Sequence, residues 1–267
     1  MAVHDVRQRC KKARAALRLA RPALGDAFAR ENTRFRDAAR LISDLRDAEA
    51  VVEAAQRLAA SEAGTAQEAA LHRAVEAMRG QRSVAATHGE LREGLDQAAA
   101  QLVAARERMA ALPVRGDGFD IIAGGLQRTY RDARRDMRIA RKAAGAGLGP
   151  RATEALHAWR KRIKDHWYQM RMLRGLWPAA IEARMAELQR LSDLLGADHD
   201  LATLSAVLDR EPEGPDVAAI EPLLREQREY LVAAAWPLGA RLLAEKPGAF
   251  VDRVRRLWGA DAEMGGC

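Results

Sequence analysis

The feature that most constrains this chain is a repeat within it. His4 and Arg7 recur as His157 and Arg160, Lys11 as Lys164, and Arg18 as Arg171, always 153 positions later. The same offset carries Phe35 to Leu188, Leu41 to Leu194, Ile42 to Leu195, Arg46 to His199 and Asp47 to Asp200, with no gap. A register held that long points to one structural unit used twice. The expected architecture is therefore two similar units of unequal length, residues 1–113 and 118–267, related by an approximate twofold.

The units read as helical. Aromatics make up only 4% of the 267 residues, Ala, Leu, Arg and Glu dominate, and no alternating Val/Ile run marks a strand, so the fold is expected to be all-α. Helices are expected at about 3–22, 27–43, 47–60, 65–79, 81–110, 119–144, 151–175, 179–195, 199–209, 217–244 and 248–258. Short connections between them suit antiparallel packing. Gly80 and Gly196 are read as breaks, Asp47 and Asp200 as caps of the helices that follow, and the five tryptophans as core filling.

Charge follows the repeat. Lys+Arg against Asp+Glu stands at 12 to 5 over residues 1–46, 7 to 10 over 47–113, 15 to 6 over 114–174 and 10 to 16 over 175–267. Each copy thus carries its cations in its opening helices. On a helix His4, Arg7, Lys11, Arg14 and Arg18 fall within about 80°, beside an apolar stripe of Val3, Val6, Cys10, Ala13, Leu17 and Leu24. The second copy repeats this with His157, Arg160, Lys164 and Arg171 in a row and Tyr168 next to them, beside Leu156, Trp159, Ile163 and Met170. A third row, Arg131, Arg134, Arg138 and Arg141, is broadened by Arg135 and Lys142, with Asp132 and Asp136 expected to point elsewhere.

Like charges at these spacings repel by a few tenths of a kcal/mol per pair. A multivalent anion offsets that cost, since guanidinium groups bind phosphate oxygens by charge-assisted, often bidentate hydrogen bonds. A histidine beside such phosphates should have a raised pKa and become a further donor. His166 either joins the row or faces water; His72 and His88 read as surface residues.

These residues resemble a known family. His4, Arg7, Lys11, Lys12 and Arg14, LISDLRD at 41–47, HAWRKRIKDHWY at 157–168 and LLGADHD at 194–200 together are similar to the CHAD domain. The resemblance implies one domain over 1–267, built of two pseudo-symmetric four-helix bundles with a basic channel between them. It implies binding of inorganic polyphosphate, often at polyphosphate granules in bacteria. By position, His4, Arg7, Lys11, Lys12, Arg14 and Arg18 would contact polyphosphate from the first copy, and His157, Arg160, Lys164, Tyr168 and Arg171 from the second. Arg40, Arg46, Arg131, Arg134, Arg135, Arg138 and His199 match basic family positions more loosely. This chain departs from the pattern at Trp167, where an arginine is usual; His166 is the candidate replacement. It also has no basic helix ahead of His4 equivalent to 119–144. Either the chain begins late in a longer protein or its first bundle has one helix fewer.

The expected activity is binding without catalysis, with no cofactor and no metal. Clustered carboxylates for a divalent cation and a GxxxxGK[ST] loop are both missing. Other polyanions are admissible partners, as is a fused or separate phosphohydrolase domain. Nucleic acid is the rival ligand, weakened by the scarcity of aromatics among the arginines. Cys10 and Cys267 have no metal or redox spacing, and no leader or eighteen-residue apolar run is present. A cytoplasmic location and no membrane partner are expected.

Overall fold

A computed structural model describes the backbone of residues 3–41, 43–62, 64–85, 88–208 and 215–265. It describes their side chains except at 3–4, 43–50, 66, 77–85, 88–92, 215–217 and 264–265. The described residues form α-helices α1 (Val3–Leu19), α2 (Arg21–Leu24), α3 (Asp26–Arg40), α4 (Ser43–Ser61), α5 (Ala66–Ala85), α6 (His88–Ala110), α7 (Asp120–Ala144), α8 (Pro150–Met172), α9 (Pro178–Leu208), α10 (Pro215–Leu242) and α11 (Pro247–Gly265). A single 3-10 turn, Arg174–Leu176, follows α8, and no strand occurs among the described residues.

Apolar periodicity sorts these helices into three cores. Val6, Cys10 and Leu17 of α1 meet Leu24 of α2, Phe35 of α3 and Ala98 and Ala105 of α6. A larger core joins α7 to α11 around Tyr130, Trp159, Leu188, Leu191 and Phe250. The third is shared by both halves of the chain: Val51 and Leu58 of α4 and Leu71 and Val75 of α5 pack on Leu201 and Leu204 of α9 and Ile220 and Leu224 of α10. The repeat persists in burial. Val6, Cys10 and Leu17 on α1 correspond to Trp159, Ile163 and Met170 on α8, and all six are buried.

Several expected boundaries are corrected. The helices placed at 179–195 and 199–209 are one continuous α9, because Gly196 is buried against α8 and serves close packing where a break was expected. Asp200 is accordingly inside α9, away from a helix start, and lies 3.7 Å from Arg57 of α4. Asp47 falls inside α4, its side chain outside the described residues. Gly80 likewise lies within α5. The expected helix 3–22 divides into α1 and α2 where Pro22, lacking an N–H, occupies the first turn of α2. Trp159 and Trp236 stack with ring centroids 5.2 Å apart, as core residues do, whereas Trp177 is 54% exposed.

The junction of the halves depends on glycine. Gly125 of α7 sits directly beneath the end of α1, where an added Cβ would overlap the backbone carbonyls of Arg18 and Leu19. At Gly124 an added Cβ would come 2.9 Å from Pro22. Alanine in place of Gly125 gains about 1 kcal/mol in helix propensity but forces two backbones apart. The Gly125→Ala variant is expected to be destabilised by about 1–3 kcal/mol net, measured by urea unfolding; a variant as stable as the parent would show that α1 does not lie this close.

Candidate functional site

The site is built on α8. Leu156, Trp159, Ile163 and Met170 turn into the large core. Rotated by roughly 110° from that stripe lie His157, Arg160, Lys161, Lys164, Tyr168 and Arg171 in one row. One edge of the row runs along α9 in antiparallel register. His157 stacks on His199, centroids 4.0 Å apart and planes at 29°. One turn on, the Arg160 guanidinium lies across Gly196, so that a Cβ there would be 2.9 Å from Nη2. Lys164 follows, near enough to Asp193 to feel its charge.

At the other edge α8 meets α1. Arg18 Nη1 donates to Asp165 Oδ1 at 3.0 Å, and Arg162 Nη1 donates to the other carboxylate oxygen at 3.3 Å. Arg162 Nε continues to Asp136 of α7 at 3.3 Å, Arg135 bonds Asp136 at 2.9 Å, and Arg135 also reaches Asp132 at 3.2 Å. The expectation that Asp132 and Asp136 point elsewhere is therefore corrected: both bond Arg135, because an arginine reaches carboxylates one and three residues away on its own helix.

The basic row of α8 makes no such ion pairs among the described residues. Among the described residues, no carboxylate oxygen lies within 4.0 Å of a side-chain nitrogen of Arg160, Lys161, Lys164 or Arg171. Arg160 Nε and His157 Nδ1 are buried without a hydrogen-bond partner. Burial, helped by His199, Lys161 and Arg160, pushes the His157 pKa down to about 3. Desolvation and neighbouring cations both oppose the imidazolium here. Burial also lowers the Lys164 ammonium, with Asp193 opposing and Arg160 assisting, and raises the Tyr168 phenol.

The remaining expected residues divide. On α1, Arg7 is half-buried and Lys11 and Lys12 are exposed, while Arg14 donates from Nε to Asn32 Oδ1 at 3.2 Å. Burial lowers the Arg14 pKa, and Arg18 and Arg36 add to that. The side chains of His4 and Arg46 lie outside the described residues. Arg40 is exposed, 3.9 Å from Asp37. On α7, Arg134 donates to the Glu245 carbonyl at 2.7 Å, Arg131 is 3.9 Å from Asp132, and Arg138 is exposed. Arg171 stands over the Trp167 ring, 5.6 Å from its centroid.

His166 neither joins the row nor faces water. It is fully buried in the large core, its Nε2 3.2 Å from Arg184 Nη2 and its ring edge-on to Tyr130 and Phe250. A guanidinium can only donate, so Nε2 accepts and His166 is neutral. Burial, then the Arg184 and Arg253 charges, hold its pKa well below the ordinary value. It is no replacement for the arginine absent at position 167.

Sequence reasoning missed two members of the site. Lys161 was legible, four residues after His157 and on the same face. Gly196 was read as a helix break; its role needs the partner helix to be visible.

Fold and site together define an all-α domain whose basic row on α8 forms no ion pair among the described residues. The CHAD domain model matches residues 1–209, and the chain belongs to that family. Searches of curated proteins and of solved structures returned no match. Among the described residues no three His, Cys, Asp or Glu side chains gather to hold a metal ion, and no helix is long and apolar enough to cross a membrane.

The two depressed histidines fix the sign of a pH effect. Below pH 6.5 the unfolded chain binds protons at His157 and His166 that the folded chain refuses, down to about pH 3 for His157, so their contribution is complete above 6.5 and is lost as pH falls. For fully buried His166 the expected slope is about 1.4 kcal/mol per pH unit below 6.5. Urea unfolding from pH 7 to 5 checks this: a His166→Gln variant should lose that part of the slope, and an unchanged slope would place the histidine in water.

Proposed function

We propose that this domain binds inorganic polyphosphate, without catalysis, along the row of α8. The observation that carries the reading is that Arg160, Lys161, Lys164 and Arg171 share one face with no carboxylate oxygen within 4.0 Å of their side-chain nitrogens among the described residues. In a folded protein such a row repels itself, and a chain with about one negative charge per phosphate relieves the repulsion along its whole length.

The repeat supplies the second wall. α1 and α8 are equivalent helices in contact through Arg18 and Asp165, and the α8 row lies between the lines of contact with α1 and α9. In this reading the two halves turn toward one basic channel, with His4, Arg7, Lys11, Lys12, Arg14 and Arg18 contributing from the first copy. His157, Arg160, Lys164, Tyr168, Arg171 and His199 contribute from the second, and Arg40, Arg46, Arg131, Arg134, Arg135 and Arg138 extend the approach. A narrow channel admits a slender strand and excludes duplex DNA. Anchoring or sensing at polyphosphate granules in the bacterial cytoplasm, alone or beside a phosphohydrolase domain, is the role that fits.

Titration with long-chain polyphosphate at two salt concentrations tests the reading. Saturable binding that weakens steeply with salt is expected, together with a loss of about 100-fold in Arg160→Glu/Lys164→Glu while circular dichroism is unchanged. No saturable binding at low salt, or tighter binding of DNA of equal charge, would overturn it.

A further inference from the structure

We infer that Gly196 is a positioning residue, the seat on which α9 holds the Arg160 guanidinium in place for an anion. Arg160 has no carboxylate oxygen within 4.0 Å to fix it among the described residues. It is held by packing. Its Nε is buried without a partner and its Cζ and Nε would each lie 3.3 Å from a Cβ at position 196. The absent side chain is what lets the flat group lie against α9, one turn from His199 and beside the His157 that stacks there.

Glycine here runs against the local preference of a helix. Gly196 is a buried residue well inside the 31-residue α9, where alanine is intrinsically better. The atoms an added methyl would meet first are those of the movable Arg160 tip, with Nη2 at 2.9 Å, and backbone is not among them. Alanine therefore leaves the helices packed and lifts the guanidinium off its seat. This separates Gly196 from Gly125, where the obstructing atoms are backbone carbonyls. A guanidinium fixed without a counter-ion keeps its donors unspent and loses little freedom on meeting a phosphate.

The binding arm of the test rests on the polyphosphate reading; the structural arm does not. In ligand-free protein the Arg160 Nε–H, identified by its loss in Arg160→Ala, should exchange slowly with water, and Gly196→Ala should abolish that protection with the melting temperature unchanged or raised. In polyphosphate titration Gly196→Ala should weaken binding about tenfold alone and have no further effect in the Arg160→Ala background. Retained protection in Gly196→Ala, a fall in melting temperature that accompanies the loss of binding, or an equal loss in both backgrounds would overturn the assignment. If wild-type protein binds no polyphosphate, the proposed function fails, and the exchange measurement still decides whether Gly196 seats Arg160.

Discussion

The structure depends on how its carboxylates are distributed around α8. Asp165 and Asp136 are both drawn to one flank, where Arg18, Arg162 and Arg135 link α1, α8 and α7 through alternating charges. Burial pushes the Asp165 carboxyl up, against the pull of Arg18, Arg162 and Arg14. Such a group is tolerated because two guanidinium groups bond it; removing one partner from a buried ion pair typically costs about 3–5 kcal/mol. The ladder therefore does two things at once. It locks the first copy's opening helix onto the second copy's, and it holds Asp165 and Asp136 in ion pairs away from the basic row.

What remains on the opposite flank is an electrostatic asymmetry within a single helix. The row from His157 to Arg171 faces α9, which offers an imidazole and a glycine where it passes His157 and Arg160. Burial, more than the neighbouring cations, sets the protonation of the row: it pushes the His157 pKa down to about 3 and lowers that of the Lys164 ammonium, which Asp193 opposes. In the proposed reading, a bound polyanion would favour the protonated form of both groups.

A second buried pair shows the alternative use of the same chemistry. Arg228 of α10 donates to Asp198 of α9 at 2.8 Å, and its remaining donors reach the Leu148 carbonyl and Thr153 Oγ1. Its donors are spent within the protein, joining α9 and α10 to the start of α8. Arg160 and Arg228 are both arginines lying against α9, and only the partners supplied by neighbouring helices separate a structural cation from one open to a ligand.

The sequence by itself determined the helical class, the repeat and the faces of α1 and α8, because a 3.6-residue period and a constant offset are local properties of the chain. Val6 and Trp159, or Cys10 and Ile163, could be paired as buried positions before any coordinates were known. It did not determine which charges oppose which. Asp132 and Asp136 could not be placed without the reach of Arg135 and Arg162, nor could the burial of His166 be read from a position one residue beyond Asp165. Gly196 carries the same letter whether it breaks a helix or seats an arginine. Tertiary structure decided these cases because charge compensation, desolvation and close packing depend on distances between helices, and the order of residues along one helix leaves those distances unspecified.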